Sequence, residues 1–259
     1  YGYNNVLISQ TIPSINATVN SSTTYLNISF NDLIALSTPT SNITSNITIY
    51  KASDNSIRQR ISATMDNFCN ISEFTVVSIP VIKSTFNEYG EQYFVTMDNN
   101  FVQDFFYEPL KGIHDGIWTL KTDILDNQKN DSDKAIMGSV RLTKAASKQF
   151  LALHKNKQLE RIDNLLNELA KKVPINRSCL SSDNRFYNAF YDQIVILIRI
   201  NINNNKIKRT ASEVFSDINT MITYKNITTF SLNVTNDLDN DYGFQPRREL
   251  IVSQEMIQN

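Results

Sequence analysis

The spacing of apolar residues changes period part-way along this chain, and that change constrains the fold more than any other feature. Through residues 1–125, apolar and polar residues alternate over Tyr25–Phe30, Ile47–Lys51, Thr75–Ile82, Gln92–Met97 and Ile117–Thr122. That is the period of a strand with one buried face. The stretches TPTS, FNEYGE and MDNN separate the runs. With only 6 Gly in the chain, Asn and Asp supply the turns, because their side chains bond their own backbone and tolerate a left-handed residue. Several short strands with turns between them predict a two-sheet sandwich.

Beyond a polar, aperiodic stretch at 123–135 the period lengthens. IMGSVRLT, Ile136–Thr143, is expected to be a strand, and Thr143 is placed to cap a helix beginning KAASKQFLAL. Leu159, Ile162, Leu166, Leu169 and Val173 recur at helical spacing until Pro174 stops the run. QIVILIRI, Gln193–Ile200, is apolar on both faces, as a central strand is. Thr210 and Glu213 form a capping box ahead of Val214, Phe215, Ile218, Met221 and Ile222, and a last strand is expected through Phe230, Leu232 and Val234. The order β-α-β-α-β predicts an α+β domain of split βαβ type. The chain therefore divides into an N-terminal extension (1–11), an all-β sandwich (12–122), a linker (123–135), an α+β domain (136–246) and a tail (247–259).

Four stretches carry a resemblance in the first half: ISFNDLIA (Ile28–Ala35), ITIYKASD (Ile47–Asp54), STFNEYGEQYFVTMDNNFV from Ser84, and EPLKGIHDGIWTLKT (Glu108–Thr122). Together they resemble the Ig-like domains of S-layer and other bacterial surface proteins, which implies an Ig-like sandwich used as an extracellular building block, without catalytic residues. Trp118 is accordingly expected in the core. In the second half, GSVRLTKAASKQF, LLNELAKKVP, QIVILIRI, DINTMITYKNIT and DYGFQP resemble the C-terminal part of secreted proteins of arbuscular mycorrhizal fungi. That resemblance implies an extracellular glycoprotein of a structural, fibril-forming kind.

Ten Asn-X-Ser/Thr acceptors occur: Asn16, Asn20, Asn27, Asn42, Asn46, Asn70, Asn130, Asn176, Asn226 and Asn233. Chance in so Asn-rich a chain gives roughly five or six, so position argues more than number. Asn27 lies opposite Leu26 and Ile28, Asn46 opposite Ile47 and Ile49, and Asn233 opposite Leu232 and Val234. Outward acceptors predict a secreted chain bearing N-linked glycans. The start at Tyr1, with no basic and apolar leader, is expected of a mature form. Cys69 and Cys179 each lie beside an acceptor and are expected to form a disulfide between the domains, two buried thiols being the alternative. That bridge would close a loop worth about 4–5 kcal/mol in the chain-entropy model.

Charge excludes some partners. With 25 basic and 26 acidic residues there is no overall field for nucleic acid, and KIKR, Lys206–Arg209, is expected to be a solvated loop. The longest apolar run, Ile194–Ile198, is far below the roughly 20 residues of a membrane helix. Catalytic signals are missing: the two histidines, His114 and His154, fall in different predicted domains, and no nucleophile elbow or phosphate-binding loop occurs. Asp237, Asp239 and Asp241 alternate as calcium ligands do, but Gly243 is one place late and Arg248 stands where the closing acid belongs. No cofactor, no metal and no enzymatic activity are expected.

The function expected is that of a structural subunit that polymerises with itself in a helical fibril, an adhesin or glycan-binding module being the alternative. Val6–Ile8 and Leu250–Val252 are candidate donor strands for a neighbour's sheet edge, giving a heterologous contact that propagates. Pairing of these segments within their own chain is the competing arrangement. For a recognition surface, the aromatic residues outside the core pattern are Tyr1, Tyr3 and Phe105–Tyr107.

Overall fold

The computed structural model describes residues 3–37, 44–124, 135–182, 186–189, 192–202 and 209–247. Most of its regular structure is β-sheet, with three α-helices. Two compact units emerge, one formed by Tyr1–Lys129 with Tyr224–Ser231, the other by Asn130–Thr223 with Leu232–Asn259. A single crossing near residue 130 was expected. Instead, Tyr224–Ser231, far along the chain, belongs to the first unit.

Among its described residues the first unit has strands β1 (Ile8–Ile12), β2 (Ala17–Val19), β3 (Tyr25–Phe30), β4 (Ile34–Leu36), β5 (Asn46–Lys51), β6 (Ile57–Ser62), β7 (Asn70–Ser72), β8 (Val76–Pro80), β9 (Gln92–Met97), β10 (Val102–Asp104) and β11 (Ile113–Thr122). One sheet has the order β1-β3-β8-β7, a second β2-β11-β9-β5-β6, and β4 pairs with β10 apart from both. Alternation does its expected work: Leu26, Ile28 and Phe30 from one sheet and Tyr93, Val95, Met97, Trp118 and Leu120 from the other are buried in one core. The indole N–H of Trp118 donates to the Pro13 carbonyl at 3.0 Å, which satisfies its one polar group inside that core. Gly112 sits where a Cβ would lie 1.8 Å from the Met97 carbonyl oxygen, so the chain can enter β11 there only without a side chain. From the segment Tyr224–Ser231, Ile227 joins the same core, and Tyr224 meets Phe68 edge to face at 6.1 Å.

The N-terminal residues are not spare. β1 pairs antiparallel with β3, Ile8 opposite Phe30 and Ile12 opposite Asn27, where residues 1–11 were expected to form a free extension. Ile8 has a core-facing side chain to bury and β3 has an open edge, so the strand closes on its own sheet. The C-terminal candidate, Leu250–Val252, lies outside the described residues.

In the second unit β12 (Ile136–Arg141) leads to α1 (Lys144–Leu151) and α2 (Lys155–Lys172), then β13 (Leu180–Ser181), β14 (Phe186–Ala189), β15 (Gln193–Ile200), α3 (Ala211–Thr223) and β16 (Phe244–Pro246). The sheet order is β13-β15-β12-β16, with β14 following β13 along the same edge of β15, and every pairing is antiparallel. Because β15 and β16 both run opposite to β12, they are parallel to one another and α3 joins them across it. Thr143 caps α1 by accepting from Ala146 N, and Thr210 and Glu213 exchange their capping-box bonds at 3.1 and 2.8 Å. Phe150 of α1 meets Phe186 edge to face, and Phe215 of α3 stacks on Phe244 above Gly138. Even-numbered residues of β12, β14 and β15 thus face the helices, and Met137, Tyr187, Val195, Leu197 and Arg199 point to the opposite side of the sheet.

Two expectations for the C-terminal half are corrected. The strand through Phe230, Leu232 and Val234 is instead a run of 3-10 turns, Thr229–Ser231 and Asn233–Asp237, and the closing strand lies at Phe244. Hydroxyls decide this locally: Thr228 Oγ1 accepts from Phe230 N at 3.2 Å and Thr235 Oγ1 donates to the Leu232 carbonyl at 2.9 Å. Arg209 is not solvated; it is buried, donates to the Val173 carbonyl at 2.9 Å and pairs with the buried Asp217 of α3. Residues 206–208 lie outside the described residues.

Candidate interaction surface

Asp104 organises a tight turn at the end of β10. Its carboxylate accepts from the backbone N–H of Phe106 and of Glu108, both at 2.8 Å, and its own N–H donates to the Glu108 carbonyl at 3.0 Å. Tyr107 takes a left-handed conformation, φ 65°, within that turn. Such an Asx-type arrangement fixes the backbone without help from side chains at the centre of the turn. Phe105, Phe106 and Tyr107 are consequently held out in water, 73%, 80% and 78% exposed.

Other apolar side chains gather at the same end of the sandwich. Asp104 is opposite Ile34 in the β4–β10 pair, so Leu33, exposed ahead of β4, emerges beside the aromatic turn. The Phe74 carbonyl accepts from Ile34 N at 2.8 Å, and Phe74 is itself exposed with φ 56°. A bulky residue in that conformation is strained. Asn31 reaches the other way, its side-chain amide donating to the Val6 carbonyl at 3.2 Å. Six apolar side chains among the described residues are more than 70% exposed, and five of them, Val6, Phe74, Phe105, Phe106 and Tyr107, belong to this end, Ile124 being the sixth. Scattered exposed hydrophobics are ordinary, but a concentration of this kind marks a contact surface. Around it Asp32, Glu73 and Glu108 are exposed, and beside Val6 so is Lys111, whose carbonyl accepts from Asn5 Nδ2 at 2.6 Å, so acidic groups outnumber basic ones at this border. Phe105–Tyr107 were legible as surface aromatics in the sequence. Tyr3, expected with them outside the core, is instead buried, and its hydroxyl bonds Thr11 Oγ1 at 2.8 Å. Tyr1 lies outside the described residues.

Of the acceptor asparagines, Asn16, Asn20, Asn70, Asn176, Asn226 and Asn233 are exposed and Asn27 and Asn46 are half-buried. Asn46 Nδ2 donates to the Thr44 carbonyl at 2.9 Å and to Asp98 at 3.3 Å, and Asn27 Oδ1 is buried with no hydrogen-bond partner. In Asn20 and Asn176 the side-chain oxygen accepts the hydroxyl of the serine two residues on, at 2.6 and 2.9 Å. Asn42 and Asn130 lie outside the described residues.

A disulfide between Cys69 and Cys179 was expected, with two buried thiols as the alternative, and each cysteine is buried in its own unit. Burial, reinforced by the Asp66 carboxylate, pushes the Cys69 thiol up to about 12, and burial also raises Cys179. Apolar surroundings favour the neutral thiol, so both behave as small core residues.

Two of the alternating aspartates are engaged with cations of the chain, while Asp241 accepts from the Asn240 side-chain amide at 3.2 Å. Asp237 pairs with Arg161; Asp239 accepts from Arg141 at 2.9 Å and Gln193 at 3.1 Å. Burial works to raise the Asp239 pKa, and the hydrogen bonds from Gln193 and Asp241 N, with Arg141 beside it, outweigh that and lower it. Among the described residues no group of three or more His, Cys, Asp or Glu side chains could hold a metal ion. His114 and His154 are both exposed, one in each unit. No helix among the described residues is long and apolar enough to cross a membrane.

No family model matches the chain, and no curated protein matches it. Among solved structures, the chain is similar to the crystal structure of CopC from Methylosinus trichosporium OB3b, with 12% identity over 48% of this chain and 98% of that one. The TM-score is 0.33, a likeness that carries no argument about function.

Proposed function

We propose that this chain is a secreted, N-glycosylated structural protein, a building block of an extracellular fibril, and that it makes its contacts through the apolar end of the N-terminal sandwich. The observation that carries this reading is the rigid aromatic turn Phe105–Tyr107, held out by Asp104 beside Phe74, Leu33 and Val6. A folded chain gains nothing in isolation from these six bulky side chains kept in water; they lower the free energy only when a partner covers them. The exposed acceptors Asn16, Asn20, Asn70, Asn176, Asn226 and Asn233 fit the extracellular setting. In this reading the first unit is an Ig-like sandwich, and the second is of split βαβ type, as the parallel pair β15 and β16 on either side of β12 supports. Adhesion or glycan binding is the second reading. Against it, Phe105 and Phe106 meet at an interplanar angle of 86° and so offer no flat platform for a sugar ring.

The test is made on protein purified from a eukaryotic secretory host. Intact mass before and after enzymatic deglycosylation is expected to fall by several glycans, and electron micrographs are expected to show filaments that the Phe106→Ser variant does not form. A mass equal to that of the bare polypeptide removes the glycoprotein reading, and monomers at every concentration remove the fibril.

A further inference from the structure

If copies assemble through the apolar end, that end needs a receiving surface, and its mainly acidic border specifies a basic one. Two acidic borders brought face to face would repel, since like charges across an interface cost several kcal/mol, so a symmetric end-to-end pair is disfavoured. The face of the C-terminal sheet opposite its helices has the complementary chemistry. Met137 and Leu197 are half-buried there, Tyr187 is 40% exposed, Arg199 is half-buried and Arg247 is exposed. The Arg247 guanidinium lies over the Tyr187 ring, 5.2 Å from its centroid, which drapes the arginine across the sheet. At the far end of this face Arg141 is neutralised by Asp239 and lies over Tyr242 at 4.7 Å. Arg199 and Arg247, which form no ion pair among the described residues, lie close to an apolar floor.

We propose that the apolar end of one molecule docks on this open sheet face of the next. Phe105, Phe106 and Tyr107 cover Met137, Leu197 and Tyr187, while Glu108, Glu73 and Asp32 approach Arg199 and Arg247. Arginine suits this role, because it stacks on aromatic rings and bonds carboxylates in the same plane. Donor and receiver are different surfaces of the same chain, so each copy offers one of each and the contact propagates instead of closing. The inference rests on the fibril reading above and names its contact.

Three variants test it by analytical ultracentrifugation, with Trp118 fluorescence and circular dichroism as checks on folding. Phe106→Ser removes the donor, Arg247→Glu the receiver, and Glu108→Arg restores the sign across the contact when combined with Arg247→Glu. All three positions are exposed, so the fold is expected to persist. Each of the first two variants alone is expected to stay monomeric at concentrations where the wild type forms a ladder of oligomers, and their equimolar mixture to stop at dimers, because only one competent donor and one competent receiver remain. The double variant Glu108→Arg/Arg247→Glu is expected to recover at least about tenfold in association over Arg247→Glu alone at low salt, and less at high salt, where screening weakens both the restored attraction and the repulsion it replaces. If Phe106→Ser abolishes assembly but Arg247→Glu assembles like wild type, the receiving face is wrong while the fibril reading stands. Should the wild type itself remain monomeric, both fall together.

Discussion

Ile227→Ala places a small defect in a segment that the chain order assigns to the C-terminal half, and we expect it to destabilise the N-terminal sandwich. Ile227 is 1% exposed and belongs to the same core as Trp118, although more than 100 residues separate the two in sequence. Truncation to alanine removes three buried carbons. At about 0.8 kcal/mol for each, the transfer loss is about 2.4 kcal/mol, and the cavity left behind brings the total to about 3 kcal/mol. With a urea dependence of about 2 kcal/mol per molar, the midpoint should fall by about 1.5 M. Trp118 is the single tryptophan and lies in this unit, so its fluorescence reports the sandwich alone, while far-ultraviolet circular dichroism follows the helices of the other unit. Leu232→Ala, at an exposed side chain just beyond the segment, serves as the control and is expected to stay within about 0.5 kcal/mol. A Trp118 midpoint unchanged by Ile227→Ala would refute the assignment of Tyr224–Ser231 to the sandwich core.

Gly138→Ala should cost about 1–3 kcal/mol, because the new methyl group would lie 2.3 Å from the Phe244 ring; thermal unfolding monitored by circular dichroism measures it. Thiol titration without reductant should find two free thiols after denaturation and almost none in the native protein at pH 8, given the raised Cys69 and Cys179; none after denaturation would restore the disulfide. Asp239 has a folded-state pKa below its ordinary 3.8. Its contribution is therefore complete above about pH 4–5 and is lost as pH falls through the depressed value. The stability gap between wild type and Asp239→Asn should be constant at neutral pH and close under acid, as equilibrium unfolding across the pH range will show.

Local signals in this sequence reported much of the local structure, though the alternation at Phe230, Leu232 and Val234 marked 3-10 turns and not a strand. Alternation placed β3, β9 and the C-terminal half of β11, the doubly apolar run placed β15 at the centre of its sheet, and Thr143, Thr210 and Glu213 announced their helix starts. In each case a period or a side-chain hydrogen bond within a few residues suffices. β6 was missed because IRQRIS buries both faces while carrying Arg58 and Gln59, whose polar groups are satisfied by Ser84, Asn87, Pro80 and Thr85 from another part of the chain. The burial of Arg209 likewise needed Asp217 on α3. For the contact surface, the sequence offered Phe105–Tyr107 as aromatics outside the core pattern. Val6, Leu33 and Phe74 joined them only through the β4–β10 pairing and the bonds of Ile34 and Asn31. Sequence alone determined where the strongly periodic strands and helices lie and which of their faces are apolar, because those properties depend on neighbours along the chain. Tertiary structure decided which distant segments share a core, which polar side chains are buried with partners and which apolar residues are left in water, because burial is settled by what packs against a side chain and not by its place in the order.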